Sequence, residues 1–287
     1  MGDAAAALLM GGSAVLGALI GSFLNVVIHR VPAGQSVVHP PSACPGCGNR
    51  IRPYDNIPVA SWLILRGRCR DCSAPISARY PLIEAGTALA FVLVTAWMLS
   101  PLSPAGAVVD AAGAAGLAAG ALLLVAYLWL AATSIALTAI DLEMHRLPNV
   151  IVLPGYGVAV LGLGIPAVLA GDVQRLGMLA AGAGILFAAY ALMAVAWPGG
   201  MGMGDVKLAG VLGAFLGFSG WAALIVGAFG AFVLGGIVSI ALLALKRVSR
   251  KGGIPFGPWM IAGSWVGLVL GASIAASYLS LFGIELV

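Results

Sequence analysis

Long apolar stretches free of Asp, Glu, Lys and Arg alternate along this chain with short segments that collect nearly all of the charge. The uncharged stretches are residues 4–29, 85–100, 111–140, 150–171 and 176–197, then 208–245 and 257–281. A helix rising about 1.5 Å per residue needs about 20 residues to cross a hydrocarbon core of about 30 Å. Most of these stretches match one crossing, but residues 208–245 would form a single helix of about 57 Å. That segment must fold back, and Gly217-Phe218-Ser219-Gly220 is its natural turn. The pattern therefore predicts an all-α polytopic membrane protein of about eight transmembrane helices.

Composition agrees: 61% of the 287 residues are hydrophobic, 8% are charged, and the mean hydropathy is +1.08. A soluble domain carries about 25% charged residues. Residues 1–3 supply no positively charged n-region, so the first stretch reads as a retained span. The placement of positive residues fixes the expected orientation. With the N-terminus outside, the first loop is cytoplasmic and holds Arg30, Arg50, Arg52, Arg66, Arg68, Arg70 and Arg79. The other inward ends hold Arg146, Lys207, Lys246, Arg247, Arg250 and Lys251, leaving Arg175 outside. These basic residues cap spans and form no separate basic domain, so the sequence predicts a lipid bilayer as environment and no nucleic-acid partner. Gly17-x3-Gly21, Gly116-x3-Gly120 and Gly213-x3-Gly217 have the spacing that lets helices approach closely.

Two acids break the apolar pattern. Asp141 ends the third stretch, and Asp205 follows another uncharged run inside Gly202-Met203-Gly204-Asp205-Val206-Lys207. A carboxylate at a membrane helix centre costs about 2.5–3.5 kcal/mol on insertion scales, so each is a candidate functional group. Either one alone is equally a helix-end marker in the headgroup region. The charge count places both on the cytoplasmic face, and such a pair suits acid–base chemistry. Gly202 and Gly204 would let backbone approach a substrate, and Lys207 reads as an anchor for the helix end.

All four cysteines lie in the first loop, as Cys44-Pro45-Gly46-Cys47 and Cys69-Arg70-Asp71-Cys72. Two CxxC knuckles can present four thiolates tetrahedrally, as a structural zinc site requires. Disulfides are the alternative, but they need an oxidising compartment and the predicted location is the reducing cytoplasm. Four protein ligands leave no open position, so the expected metal is structural. A loop of about 50 residues needs such support to fold. His39 falls outside both knuckles.

These features resemble the type IV prepilin peptidases, a family of bifunctional leader peptidases and N-methyltransferases among the intramembrane aspartic proteases. The resemblance rests on Gly21-Ser22-Phe23-Leu24-Asn25-Val26-Val27 running into Arg30-Val31-Pro32, and on the two CxxC pairs. It continues in Asp55-Asn56-Ile57-Pro58 and in Arg79-Tyr80-Pro81-Leu82-Ile83-Glu84. The second half matches in Asp141 with Pro148, in the GxGD segment ending at Asp205, and in Ile254-Pro255-Phe256-Gly257-Pro258. One departure is Asn149, where the family often has Asp.

The resemblance implies that Asp141 and Asp205 form a catalytic dyad that activates water, two nearby carboxyls sharing a proton because both cannot ionise cheaply. It implies a substrate class: the basic leader peptides of type IV prepilins and pseudopilins, cut at the cytoplasmic face of the cell inner membrane. It also implies methylation of the new N-terminus by S-adenosylmethionine, for which Asn25 and Glu84 are candidate binding groups; simple interfacial hydrogen bonding is the competing reading for each. The expected division is residues 1–105 for helices 1–2, with the tetracysteine loop 30–80 and the methyltransferase part, and residues 106–287 for the peptidase with helices 3–8. A peptidase without methylation, an ion-coupled transporter and a secretion-system scaffold are the alternatives.

Overall fold

A computed structural model of the chain describes residues 2–104, 114–197, 200–246 and 254–284. Among the described residues nine helices carry the architecture: α1 (Asp3–Arg30), α2 (Ala60–Ile64), α3 (Arg79–Met98) and α4 (Ala114–Met144). They are followed by α5 (Asn149–Leu169), α6 (Val173–Ala196), α7 (Met203–Ser219), α8 (Trp221–Ala244) and α9 (Gly257–Ser280). No strand occurs among the described residues; only isolated bridges do. Seven of these helices are long and apolar enough to cross a membrane, and the chain is a multi-pass membrane protein.

The expected sixth span is α7, whose 17 residues rise about 26 Å, against a hydrocarbon core of about 30 Å. Its ends are set by extended Gly202 and by Gly220 at φ 118°, which breaks the long apolar run inside the anticipated turn. Twelve of its residues are buried, so it is an interior helix packed by others, with little surface for lipid. Elsewhere the helices outrun the uncharged stretches. α3 starts at Arg79 and α4 runs on to Met144, because two charged residues near a helix end do not interrupt the backbone ladder. The basic residues Arg247, Arg250 and Lys251 and the expected boundary at 105/106 lie outside the described residues.

The chain forms two compact units, residues 1–99 with 127–139, and residues 100–126 with 140–287. In the first, α1 and α3 run antiparallel along a seam of small residues. A Cβ on Gly17 would lie 2.8 Å from the Ala88 Cα, and one on Gly21 would lie 2.7 Å from the Glu84 Cα. Further along the seam Ser13 and Thr95 join hydroxyls at 2.8 Å. In the second unit Gly182 of α6 meets Gly213 and Gly217 of α7 backbone to backbone, while α8 and α9 close on each other through Gly227, Gly263 and Gly267. Lipid tails are as apolar as Leu, so membrane helices associate through such close contact rather than through hydrophobic exclusion. On α8 the large apolar side chains Ile225, Phe229, Ile237 and Ile240 are exposed.

α5 is interrupted by its prolines. Pro154 and Pro166 remove backbone donors, and a π-helical stretch at Val160–Gly164 takes up the mismatch before Pro166. The glycine seams generate a contrast between neighbouring positions. Gly182→Val should destabilise the protein by about 3 kcal/mol, since its side chain would meet α7 backbone. Gly184→Ala, which meets nothing within 4 Å, should be neutral or stabilising by up to about 1 kcal/mol. Unfolding of both variants in detergent micelles measures the difference.

Candidate active site and metal centre

Both isolated acids belong to the second unit, and each is held by the N-terminus of a helix. Asp141 lies in the last turn of α4, which stops three residues later with His145 in a left-handed conformation. At its own helix's C-terminus a carboxylate faces the wrong end of the dipole. The compensation comes from α9, whose first residue, Gly257, donates its N–H to Asp141 Oδ2 at 3.1 Å. That N–H is one of the donors a helix start leaves without an internal partner. Asp141 is only 4% exposed, and a Cβ on Gly257 would sit 2.7 Å from its Oδ2.

Asp205 occupies the third position of α7, and its Oδ2 accepts the Gly202 N–H at 3.1 Å. An acid at this position satisfies an orphan donor and complements the dipole. The GxGD string is thus a helix start in its own right. Asp205 is half-buried and lies within the electrostatic field of Asp141. Leu147, on the turn after α4, joins the two: its side chain lies 3.3 Å and 3.0 Å from where Cβ atoms on Gly257 and Gly204 would stand. The close neighbour that Gly204 accommodates is therefore Leu147 of the same chain. Gly202 instead faces the Asp205 carboxylate.

Lys207 makes contacts through both its side chain and its backbone. Its Nζ donates to Asn149 Oδ1 at 3.0 Å, and its carbonyl accepts the Tyr156 hydroxyl at 2.9 Å, tying α7 to α5. Asn149, the departure from the family pattern, supplies a neutral acceptor there. Sequence reasoning missed Leu147, Tyr156 and Tyr190. The last is buried on α6 within the field of Asp205, and it belongs to an aromatic trio with Phe232 and Phe256. Nothing in an apolar helix distinguishes one such tyrosine from core. Gly257 stood inside a recognised motif, yet its role as donor required the fold.

In the first unit the four cysteine sulfurs lie within 4.8 Å of one another, and all four thiols are free. The two knuckles repeat one local design. The Cys44 N–H bonds the Asn49 carbonyl at 2.9 Å, and the Cys69 N–H bonds that of Ala74 at 2.8 Å. Each turn passes through a left-handed residue just after its second cysteine, Gly48 at φ 73° and Ser73 at φ 59°. Cys44 and Cys72 sulfurs are 3.7 Å apart, close to the edge of about 3.8 Å expected of a tetrahedron with 2.3 Å zinc–sulfur bonds. The cluster can hold zinc. His39 stands apart from it.

Salt links brace the loop. Arg70 donates to Asp55 through Nε at 2.9 Å and Nη2 at 2.6 Å and lies over the Tyr54 ring, while Arg52 pairs with Asp71 at 3.0 Å. The Arg70 guanidinium holds the Asp55 carboxyl below the usual carboxylate range. Of the two remaining candidates, Asn25 donates its side-chain amide to the Tyr80 carbonyl at 3.2 Å, and Glu84 accepts the Val59 N–H at 2.6 Å.

Residues 15–98 match the family model of the bacterial peptidase A24 N-terminal domain, and residues 124–240 match that of the type IV leader peptidase family. A protein from Pseudomonas putida named prepilin leader peptidase/N-methyltransferase is 35% identical, over 94% of this chain and 93% of its own length. The chain belongs to the type IV leader peptidase family. A relative of the same name from Aeromonas hydrophila is 39% identical over 92% of this chain and 91% of its own. One from Pseudomonas aeruginosa is 34% identical over 94% and 93%. No solved structure matches the chain. The two family models thus span both places where this chain gathers chemistry-bearing groups, the cysteine cluster in the first and the acids in the second.

The thiols themselves give a test. The Cys47 and Gly46 N–H groups donate to the Cys44 sulfur and bring its pKa down to about 7. Cys72 is pushed up to about 12: the Ala74 N–H opposes the rise, but desolvation and the three neighbouring sulfurs outweigh it. In metal-stripped protein at pH 7.5, alkylation followed by peptide mapping should therefore label Cys44 well before Cys72, because the thiolate is the nucleophile.

Proposed function

We propose that this protein is a membrane aspartic endopeptidase that removes the basic leader of type IV prepilins or pseudopilins and methylates the new N-terminus, with Asp141 and Asp205 as the hydrolytic pair. The observation that carries the reading is that, within one compact unit, two helix N-termini each donate a backbone N–H to one of two isolated carboxyls. Peptide hydrolysis without a nucleophilic side chain needs this equipment. One carboxylate takes a proton from water as it attacks the scissile carbonyl carbon, and the other carboxyl donates its proton to the carbonyl oxygen. The tetrahedral diol then collapses, its hydroxyl proton returns to a carboxylate, and the departing amine is protonated by the partner. The N–H groups of Gly257 and Gly202 steady the charge without occupying the second carboxyl oxygen of either acid.

The positive-inside distribution supports placing this pair at the cytoplasmic face of the inner membrane, where a short basic leader would remain while its apolar helix lies in the bilayer. An ion-coupled transporter would account for two intramembrane acids but gives no role to the cysteine cluster. In our reading Cys44, Cys47, Cys69 and Cys72 bind one structural zinc ion, and residues 1–105 support methyl transfer while residues 106–287 perform hydrolysis. S-adenosylmethionine supplies the methyl group when bound. Of the loop's five arginines between Arg50 and Arg70, Arg52 and Arg70 are engaged with aspartates, which limits repulsion of a basic leader.

Asp141→Asn or Asp205→Asn should each lower prepilin cleavage by about 1,000-fold or more in protein that still inserts and folds, since an amide can neither take nor give the proton. Substantial turnover by either variant in a purified assay refutes the pair. Metal analysis should return about one zinc per chain, lost in a Cys69→Ser/Cys72→Ser variant, and methylation should fall further than cleavage in that variant. Equal loss of both activities in well-inserted protein would contradict the division of labour.

A further inference from the structure

Glu84 is buried, 8% exposed, yet among the described residues it has no ion-pair partner. The loop's braced arginines, Arg52 and Arg70, are committed to Asp71 and Asp55. One Glu84 oxygen accepts the Val59 N–H, and a single hydrogen bond offsets only part of the cost of burying a charge. The donor is unusual too. Val59 sits at φ 62° and ψ −50°, and the Ala60 N–H bonds the Pro58 carbonyl at 2.6 Å, which closes a three-residue γ-turn of the rare, strained form. A β-branched residue in this region is a true outlier, and such strain persists where the surroundings enforce it, often at a ligand site. On its other side Glu84 is fixed by α1, whose Gly21 leaves no room for a side chain above it. Asn25, one turn along α1, differs: its amide is engaged with the Tyr80 carbonyl and holds the same seam together.

We infer that Glu84 is the counter-ion for the ammonium group of the newly exposed substrate N-terminus. The inference rests on the methyl-transfer reading and names the residue that would receive its acceptor. An α-amino group is largely protonated near neutral pH and has no lone pair for attack until it loses a proton. A carboxylate only accepts hydrogen bonds, so the Glu84 side chain suits an N–H donor, and it can take that proton. The step balances. The ammonium gives one proton to the Glu84 carboxylate, and the freed nitrogen lone pair attacks the sulfonium methyl of S-adenosylmethionine. The carbon–sulfur bond breaks with its electron pair going to sulfur, leaving a secondary ammonium, a neutral thioether and a protonated Glu84.

The test uses full-length protein in detergent, titrated with an apolar decapeptide bearing a free α-amine and with its N-acetylated form. Wild-type protein should bind the free amine about tenfold more tightly or better, the charge-assisted contact being the difference. Glu84→Gln keeps an oxygen for the Val59 N–H; it should lose that preference, bind S-adenosylmethionine as before, retain cleavage, and methylate about 100-fold more slowly. Equal binding of the two peptides by wild-type protein overturns the assignment whether or not the variant folds. If E84Q keeps the peptide preference and loses S-adenosylmethionine binding, the carboxylate serves the donor's own ammonium, and the assignment is equally refuted. Wild-type protein that cleaves but never methylates would sink the methyl-transfer reading itself. Undiminished methylation by E84Q in an active preparation would sink only the role of Glu84.

Discussion

A carboxylate among apolar helices must find donors, and here the donors are the free N–H groups that open two helices. Gly257 holds Asp141, and Gly202 holds Asp205. Much of the second unit follows from that arrangement. α9 has to begin at Gly257 because a side chain there would strike the acid, and Pro258 directly after it fits the first turn of a helix, where no donor is lost. α7 has to begin at Gly202, with Asp205 one turn inside. Leu147 fills the space shared by the two glycine-marked helix starts, which fixes the turn after α4 relative to both.

Holding helix ends in register demands that the helices behind them do not slide. In water, large apolar side chains facing inward would provide that; in lipid they gain little by doing so. The chain instead lines the α6–α7 and α8–α9 seams with Gly, while Phe215, Leu216 and Phe218 of α7 fill the interior beside them. Gly182 against Gly213 and Gly217, and Gly227 against Gly263 and Gly267, bring backbones into direct contact. The arrangement leaves polar chemistry at helix ends and close packing between them, so the acids are supported without any salt bridge of their own among the described residues.

The cysteine loop solves a different problem. At about 50 residues it is too short to bury much of a core of its own, and it is organised by two repeated turns, two arginine–aspartate links and four cysteine sulfurs within 4.8 Å of one another. Its attachment to the helices passes through Glu84 and Val59, where a buried carboxylate and a strained turn meet. The sulfur cluster and this junction are separate features of the first unit. One can hold a metal within the loop, and the other ties the start of α2 to α3.

Reading the sequence alone established the helical membrane class, the position of the break near Gly220, the paired cysteine knuckles, the two exceptional aspartates and the family. Each of these is written in local signals: uncharged run length, glycine at a turn, CxxC spacing, a lone acid in an apolar chain. Helix limits were less legible. Arg79, Glu84 and Asp141 all sit inside helices although charge marked the ends of the uncharged stretches, and α7 is shorter and more buried than its neighbours. What only the tertiary structure decided was partnership. The Gly257 donor lies 116 positions from Asp141, Leu147 joins Gly204 to Gly257, and Lys207 meets Asn149 across 58 positions. No periodicity or spacing encodes such contacts, because they depend on how whole helices pack, and in this protein that packing is set by glycines whose partners the sequence does not name.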